Sequence, residues 1–332
     1  MLSTTSIELV VSTAHAGTRL DRFVAANCPD LSRSRAQELI ESTLVLVNGQ
    51  PAKPSQKLKG GERITVQPEP RAPLKAEAES IPLDILYEDD DLIVINKPAG
   101  MTVHAGAGNS RGTLVNALLG RGQSLSQSAD ALRPGIVHRL DKDTSGAILI
   151  AKNDFAHAKL SEAFRARIIQ KTYLALVQGK LTAPRGRIEL AISRDPKRRV
   201  RMTARTAGKS ANARAARTDW TVLGQFGPAA LLEVQLHSGR THQIRVHFSA
   251  LKHPLVGDTL YGAASQLTVG KTKLPVLDRQ FLHASRLAFT HPRTQKEISV
   301  TAPLALELKI YLEKLAAAAG LSKIDASVAA FL

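Results

Sequence analysis

Residues 138–146, HRLDKDTSG, run directly into residues 147–152, AILIAK. This change from a charged to an apolar segment decides the fold around it. The second segment is an apolar run of strand length, which predicts a buried strand. The first is a short charged loop held at one end by that strand, so it can fix a side chain accurately. Arg139 and Asp141 point the same way if the loop is extended. A solvated surface turn explains the same charges, and this stretch alone leaves both interpretations open.

The composition predicts a folded, basic protein with a polyanionic partner. The chain has 332 residues, 43% of them hydrophobic, which is enough for two domains and a sizeable core. Lys and Arg number 45 against 29 Asp and Glu, which gives a net charge of +16. Such an excess indicates nucleic acid first and an anionic membrane second. No basic amphipathic anchor and no apolar run of about 20 residues is present, so we expect no membrane partner.

The cysteine usage and the start of the chain indicate a cytoplasmic protein. Cys28 is the single cysteine, which excludes a disulfide framework or a cysteine-based zinc site within one chain and fits a reducing compartment. Residues 1–16 carry no Lys or Arg, so the positive end of a signal peptide is missing.

No motif indicates a metal ion or a nucleotide cofactor. His242 and His247 are five residues apart, which is wrong for two ligands on one helical face. The four acids at 88–91 fit a solvated turn between two strands. The glycines at 104–112 miss the dinucleotide-binding spacing by one residue, and no acidic residue follows where the ribose contact belongs.

Residues 18–66 predict a compact module with the order helix, helix, hairpin. Apolar residues recur at helical spacing from Leu20, and Asn48–Gly49 is a hairpin turn signal. Arg33 and Arg35 lie at the head of the second helix, where cations beside a helix N-terminus form a phosphate site. The module resembles the S4 RNA-binding domain through RLD at 19–21, SRSR at 32–35 and VLVNG at 45–49. An ordinary small domain with surface arginines is the alternative.

Composition shifts divide the rest of the chain. We interpret residues 1–17 as an N-terminal segment that is frayed or forms one edge strand. Residues 67–80 are rich in proline, which indicates an extended linker. Residues 81–320 then form a second domain of strands and helices, with helices expected at 114–119, 154–169 and 304–319. Residues 321–332 are an Ala-rich tail.

Residues 184–217 are the most cationic part of the chain, with 11 Lys and Arg against 2 acids. This concentration indicates a loop that contacts phosphates, with Arg198 and Arg199 in its middle. Residues 239–247, GRTHQIRVH, form a second basic segment, in which Arg240 and Arg245 can meet a phosphate or a buried carboxylate.

Three segments of the second domain together resemble the RluA family of pseudouridine synthases. They are HRLDKDTSG at 138–146, KTY at 171–173 and GRTHQIRVH at 239–247, and the match runs from about residue 81 to 303. The resemblance implies an α+β chain: a mixed, largely antiparallel catalytic domain behind a small S4-like α/β domain. It implies that Asp141 is the catalytic aspartate, that Tyr173 packs against the target base and that Arg245 pairs with the catalytic carboxylate. Arg139 stands where the family fills the gap left by a flipped nucleotide.

The implied reaction suits these residue types. A uridine must lose its N1–C1′ bond, turn over and rejoin through C5. One ionised carboxylate is needed at the ribose, as a nucleophile at C1′ or as a base at C2′, and the sequence does not choose between the two. A guanidinium beside it opposes the effect of burial and keeps the charge. Because no redox step or hydrolysis occurs, we expect neither a metal nor a cofactor.

The resemblance and the leading module imply that the partner is large-subunit ribosomal RNA or a pre-ribosomal particle, and we expect a monomer. Transfer RNA is the alternative substrate. A non-catalytic RNA-binding or ribosome-assembly protein is the alternative function, although mere binding has no use for a carboxylate such as Asp141. Residues 205–217 are longer and richer in Ala and Arg than the family pattern, which leaves the substrate contacts of that loop open.

Overall fold

The computed structural model describes residues 6–28, 31, 33–67, 77–105, 111–122, 125–126, 133–196, 198, 200–205 and 213–321, without the side chains of 33–35. The chain divides into two compact units, Met1–Leu74 and Lys75–Leu332. That division falls within the linker predicted at 67–80, of which 68–76 lie outside the described residues. Within the described ranges, no helix has the length and apolar character to cross a membrane.

The smaller unit is an antiparallel sheet with two helices packed on it. The sheet has the order β1-β4-β2-β3, and its strands are β1 (Ile7–Val10), β2 (Val45–Val47), β3 (Gln50–Pro51) and β4 (Arg63–Val66). The helices are α1 (Leu20–Asn27) and α2 (Arg33–Glu41), with a 3-10 turn at Thr13–His15 before them. The predicted helix-helix-hairpin order is confirmed. Apolar residues of α1, α2 and the sheet share one core, which includes Leu20, Leu39 and Ile64.

Two local features of the smaller unit follow from the sequence. Asn48 and Gly49 have φ of 51° and 76°, which is the turn geometry that Asn-Gly favours between two strands. Residues Ile7–Val10, which the sequence placed in a separate N-terminal segment, pair with Val66–Arg63. The boundary expected at residue 17 is therefore not a boundary of the sheet.

The larger unit is built on a nine-stranded mixed sheet with the order β5-β6-β7-β16-β8-β13-β12-β9, and β17 pairs with β16. Its strands are β5 (Asp84–Glu88), β6 (Leu92–Lys97), β7 (Ser145–Ala151), β8 (Gln170–Gln178), β9 (Arg185–Ile188), β12 (Thr218–Phe226), β13 (Ala229–Leu236), β16 (Leu282–Thr290) and β17 (Glu297–Thr301). Two hairpins lie beside it, β10 (Ala191–Arg194) with β11 (Met202–Arg205) and β14 (Thr268–Val269) with β15 (Thr272–Lys273). The helices are α3 (Leu114–Gly120), α4 (Asp154–Ala166), α5 (Gln243–Ala250) and α6 (Leu306–Ala318), with a 3-10 turn at Thr259–Tyr261.

The strand pairing is largely antiparallel, as the sequence predicted for this α+β chain. The exception in the large sheet is β7 with β16, which run parallel through His283–Ser145 and Ala284–Gly146. Every residue of β7 is buried, because apolar clusters cover both faces of the sheet. A strand buried on both faces reads as a continuous apolar run, which is the pattern of residues 147–151.

The helix predicted at 154–169 ends earlier, at Ala166. Arg167 takes the left-handed conformation, with φ of 63°, and turns the chain out of the helix. Ile168 is therefore 65% exposed, whereas Ile169 enters the core. The helix was predicted three residues too long, because the apolar spacing does not reveal the left-handed conformation of Arg167.

Candidate active site

Two cationic side chains, Lys97 and Arg279, donate hydrogen bonds to the backbone of the loop that contains Asp141. The Lys97 Nζ atom donates hydrogen bonds to the carbonyls of Pro98, Met101 and Lys142, at 2.7, 2.9 and 3.0 Å. Arg279 donates from Nη1 to the carbonyl of Asp143 at 2.9 Å. Burial lowers the pKa of Lys97 to about 7. Three carbonyl acceptors require three N–H donors, and only the ammonium form supplies them.

Gly146 lets the loop enter β7 at this place. Its φ is 111°, and a Cβ atom there would lie 2.3 Å from the carbonyl oxygen of Ala284. The backbone of β16 therefore approaches β7 too closely for any side chain at residue 146. This contact fixes where the loop that begins at His138 meets the sheet.

His138 anchors the other end of the loop. Its Nε2 atom accepts a hydrogen bond from the backbone N–H of Leu149 at 2.8 Å, which requires the neutral ring. The ring stacks on Phe164 with centroids 4.6 Å apart. Burial, with the nearby charge of Lys171, lowers the pKa of His138 to about 3. The loop is thus fixed by a histidine that stays uncharged at neutral pH.

Arg245 links the Asp141 loop to α5. Its Nη1 atom donates to the Oδ2 atom of Asp141 at 3.3 Å. Its Nε and Nη2 atoms donate to Asp258, at 2.7 and 2.9 Å, in a two-point ion pair. The Arg245 side chain is 9% exposed and that of Asp258 1%, whereas that of Asp141 is 20% exposed. Asp258 thus orients the guanidinium so that its remaining N–H group reaches Asp141.

The electrostatics keep Arg245 positive and Tyr173 neutral. Burial alone would lower the pKa of Arg245, but the hydrogen bonds and charges of Asp258 and Asp141 raise it above its ordinary value. Burial, and then the negative charge of Asp141, raise the pKa of Tyr173. The arginine is therefore a permanent cation, and the tyrosine remains a phenol at neutral pH.

Asp141, Tyr173 and Arg245 line one cleft of about 600 Å³ in the larger unit. They come from the loop before β7, from β8 and from α5, and the sheet order brings these elements together. Tyr173 lies on the same face of β8 as Ala175 and Val177, and all three belong to one core cluster. The structure thus brings together the three residues for which the sequence predicted catalysis.

Comparisons with known proteins identify the family. A family model described as RNA pseudouridylate synthase matches residues 91–250, and a model of the S4 domain matches residues 18–64. The chain is 43% identical over 307 residues to ribosomal large subunit pseudouridine synthase D of Xanthomonas campestris, which covers 91% of this chain and 90% of the relative. The chain belongs to the RNA pseudouridine synthase family. The resemblance and the enzyme class predicted from the sequence are confirmed.

Further relatives of this pseudouridine synthase support the same family assignment. Ribosomal large subunit pseudouridine synthase D of Salmonella typhimurium is 41% identical over 314 residues, covering 93% of this chain and 94% of the relative. The solved structure of human RNA pseudouridylate synthase domain containing 4 has a TM-score of 0.56 at 26% identity, and it covers 70% of this chain and 92% of that one. Members of the family convert uridine into pseudouridine in RNA.

The structure places some of the arginines predicted to bind RNA at the cleft and others elsewhere. Arg139 and Arg240 line the cleft of this pseudouridine synthase, and Arg139 is exposed. Arg198 is exposed on the loop between β10 and β11 and does not line the cleft. Arg199 and the side chains of Arg33 and Arg35 lie outside the described residues, although α2 begins at Arg33.

Sequence reasoning missed the residues that support Arg245. Asp258 and Tyr261 were not among the residues for which the sequence predicted a role. The Tyr261 ring lies under Arg245, 5.0 Å from the guanidinium, and its hydroxyl bonds Nδ1 of His242 at 2.8 Å. Only the buried position of Asp258 reveals its pairing, because nothing in the sequence connects it to residue 245. In the described part of the chain, no group of three or more His, Cys, Asp or Glu side chains is arranged to hold a metal ion.

Proposed function

We propose that this enzyme isomerises specific uridines of large-subunit ribosomal RNA. The observation that carries the proposal is the Asp141 carboxylate, which meets Arg245 in a cleft that also contains Tyr173. Two relatives at 41% and 43% identity carry the name of a ribosomal large subunit synthase, which supports this substrate. The S4 domain and the net charge of +16 suit a large structured RNA.

Asp141 is the catalytic group in this proposal. Among the described residues only Arg245 bonds its side chain, through Oδ2, so Oδ1 is available to the ribose. The carboxylate attacks C1′ or removes the proton at C2′, and either step lets the N1–C1′ bond break. The uracil then turns and bonds C1′ through C5. As this bond forms, the carboxylate leaves C1′ on the first route or returns the proton to C2′ on the second. On both routes the proton lost from C5 is balanced by one gained at N1. The hydrogen bond from Arg245 to Oδ2 holds the carboxylate in place.

Tyr173 and Arg139 handle the target nucleotide. A uridine within a stack must be extruded before the carboxylate reaches its sugar, at a cost of a few kcal/mol. Stacking on an aromatic ring returns about 1–3 kcal/mol per base, and Tyr173 offers a ring inside the cleft. Because the phenol stays neutral, it places no charge against the uracil. Arg139 fills the space that the nucleotide leaves.

The other cations contact the RNA backbone. We assign phosphate contacts to Arg240 at the cleft, to Arg198 and Arg199 in the loop after β10, and to Arg33 and Arg35 in the S4 domain. The enzyme acts as a monomer. Because the isomerisation consumes no water and transfers no electrons, we expect no metal or cofactor. Its place of action is the cytoplasm, where ribosomal RNA is assembled in bacteria such as those of the relatives.

The test is Asp141→Asn, which changes one atom of the side chain and keeps its shape. We expect RNA binding to persist and pseudouridine formation in large-subunit ribosomal RNA transcripts to fall by at least about 10³-fold. The control is Asp143→Asn, a carboxylate of the same loop that does not line the cleft. Retained turnover in Asp141→Asn would refute the role of Asp141.

The same assay separates the alternatives. A purified wild-type protein that binds RNA with steep salt dependence and leaves every uridine unchanged would be a binding protein and not an enzyme. Conversion of transfer RNA transcripts in preference to ribosomal ones would replace the proposed substrate. Mapping pseudouridines in ribosomal RNA from cells without the protein identifies the target positions.

A further inference from the structure

The corner between α4 and β8, residues 165–168, contributes two residues to the cleft wall and has no role in the reaction described above. Arg165 and Arg167 line the cleft, and both are exposed. The N–H of Ile168 bonds the carbonyl of Ala163 at 3.2 Å, and the N–H of Arg167 bonds that of Phe164 at 3.2 Å. These two bonds form a Schellman motif, which fixes the backbone of the corner.

The residue at the left-handed position of this motif is unusual. Glycine is favoured there because it has no Cβ atom, yet the chain has Arg167 with φ of 63°. The long side chain therefore starts from a backbone that disfavours it. Backbone strain of this kind is found at sites where the side chain has a function.

Positive charges converge at the corner without acidic partners. In the described part of the chain, no carboxylate pairs with Arg165, Arg167 or Lys171, all of which line the cleft. Burial and then the charge of Arg167 lower the pKa of Lys171 to about 8. Burial, and then the charges of Arg214 and Arg167, lower the pKa of Arg240. Arg167 is thus close enough to repel cations from two parts of the cleft, and an anion bound among them would relieve this repulsion.

The same corner carries an exposed apolar side chain. Ile168 is 65% exposed and directly follows Arg167. A single exposed isoleucine is ordinary on a protein surface, but this one adjoins a cationic cleft wall. A ligand that presents both an anion and an apolar face at this spacing would satisfy both features. A nucleotide of an RNA strand has a phosphate and a base that meet this description.

We propose that residues 165–168, with Lys171, bind the RNA strand beside the target uridine. Arg165 and Arg167 contact its phosphates, and Ile168 packs against a neighbouring base. Lys171 provides a further positive charge deeper in the cleft. This inference rests on the proposed function, because the ligand is the RNA substrate. It assigns to the strand a contact in addition to the stacking of the flipped base on Tyr173.

The charge part is tested with the double variant Arg165→Gln/Arg167→Gly. Glycine suits the left-handed position, so the corner keeps its backbone. The matched control is Lys159→Gln/Lys314→Gln, which also removes two exposed positive charges but at positions that do not line the cleft. Binding to a large-subunit ribosomal RNA transcript is measured over a salt series in the Asp141→Asn background, so that no product accumulates.

We expect the slope of log K against log salt to become shallower by about 1.4 in the double variant, at roughly 0.7 per lost contact to a single strand. The control should keep the wild-type slope. In proteins with Asp141 intact, KM should rise roughly tenfold or more, with a smaller change in kcat. A slope and a KM equal to those of the control would overturn the proposal.

The base contact is tested with Ile168→Ser against Ile168→Leu. Because residue 168 is mostly exposed, the melting temperature should stay at the wild-type value in both. We expect KM to rise several-fold with serine and to return towards the wild-type value with leucine. Equal KM values for wild type and serine would remove Ile168 from the site. A failure of the proposed function is seen separately, as wild-type protein that forms no pseudouridine, while the salt series still tests the corner.

Discussion

Replacing Asp258 by asparagine tests the support of the catalytic carboxylate most directly. The side chain of Asp258 is 1% exposed and receives two hydrogen bonds from Arg245, at 2.7 and 2.9 Å. Removing one partner of a buried ion pair costs about 3–5 kcal/mol, because the other charge stays buried without compensation. The amide keeps one neutral acceptor, so we expect about 3 kcal/mol. For a unit of this size, that lowers the melting temperature by roughly 6–12 °C.

Asp258→Asn should also lower turnover. The substitution removes the ion pair of Asp258 with Nε and Nη2 of Arg245. The remaining ionic partner of Arg245 in the described part of the chain is then Asp141, which lies 3.3 Å from Nη1 in the wild-type structure. The guanidinium should then move onto Asp141 and cover the oxygen that faces the ribose. We expect kcat to fall by at least about tenfold with a smaller change in KM, since RNA contacts elsewhere are unchanged.

Melting by circular dichroism and turnover on a ribosomal RNA transcript measure the two effects. Asp219→Asn is the control, because Asp219 also receives two hydrogen bonds from one arginine but is 26% exposed. It should lose less stability than Asp258→Asn, because water reaches Asp219 and its partners Arg187, Arg217 and His237. The pair Arg245→Met/Asp258→Leu should recover most of the stability without any turnover. If Asp258→Asn melts within about 2 °C of wild type and keeps its kcat, the buried pair does not support the site.

Two further predictions concern pH and backbone packing. Burial lowers the pKa of His138 to about 3 and that of His283 to about 4, so as pH falls below about 6.5 the unfolded chain gains these protons first and stability decreases. The free energy of unfolding from urea titrations should be lower at pH 5.5 than at pH 7.5 by about 1.4 kcal/mol for each of these histidines. His138→Gln keeps an acceptor for the Leu149 N–H and should reduce this difference by the contribution of one histidine. Gly146→Ala places a Cβ atom 2.3 Å from the backbone oxygen of Ala284, so it should cost about 3 kcal/mol or more and reduce turnover with it. A wild-type melting temperature in Gly146→Ala would contradict this close approach.

The regular elements around the site were predictable because their signals are local. The apolar run at 147–151 predicts a buried strand, and β7 is buried at every position. Alternation along residues 171–177 places Tyr173 on the face of Ala175 and Val177, which the core confirms. The end of α4 was not predictable in the same way, because no local rule favours an arginine in the left-handed conformation.

The pairings within the site depend on distant parts of the chain. Arg245 and Asp141 are 104 residues apart in sequence, and the expectation that they meet came from the resemblance to a family. Asp258 ends a segment, residues 253–258, that also fits the family, but the sequence assigned it no partner, and only its burial beside Arg245 shows one. The cations at residues 165–167 were likewise ordinary helix residues in the sequence.

By itself, the sequence determined the two-part organisation, the strands and helices, and the basic character that indicates RNA, because each depends on composition or on short-range periodicity. Tertiary structure alone decided which groups the charged side chains meet. Asp258 pairs with Arg245, Lys97 bonds the backbone of the Asp141 loop, and Arg167 repels Lys171. The physical reason is that burial and electrostatic interaction depend on distance in space, which periodicity along a chain does not encode.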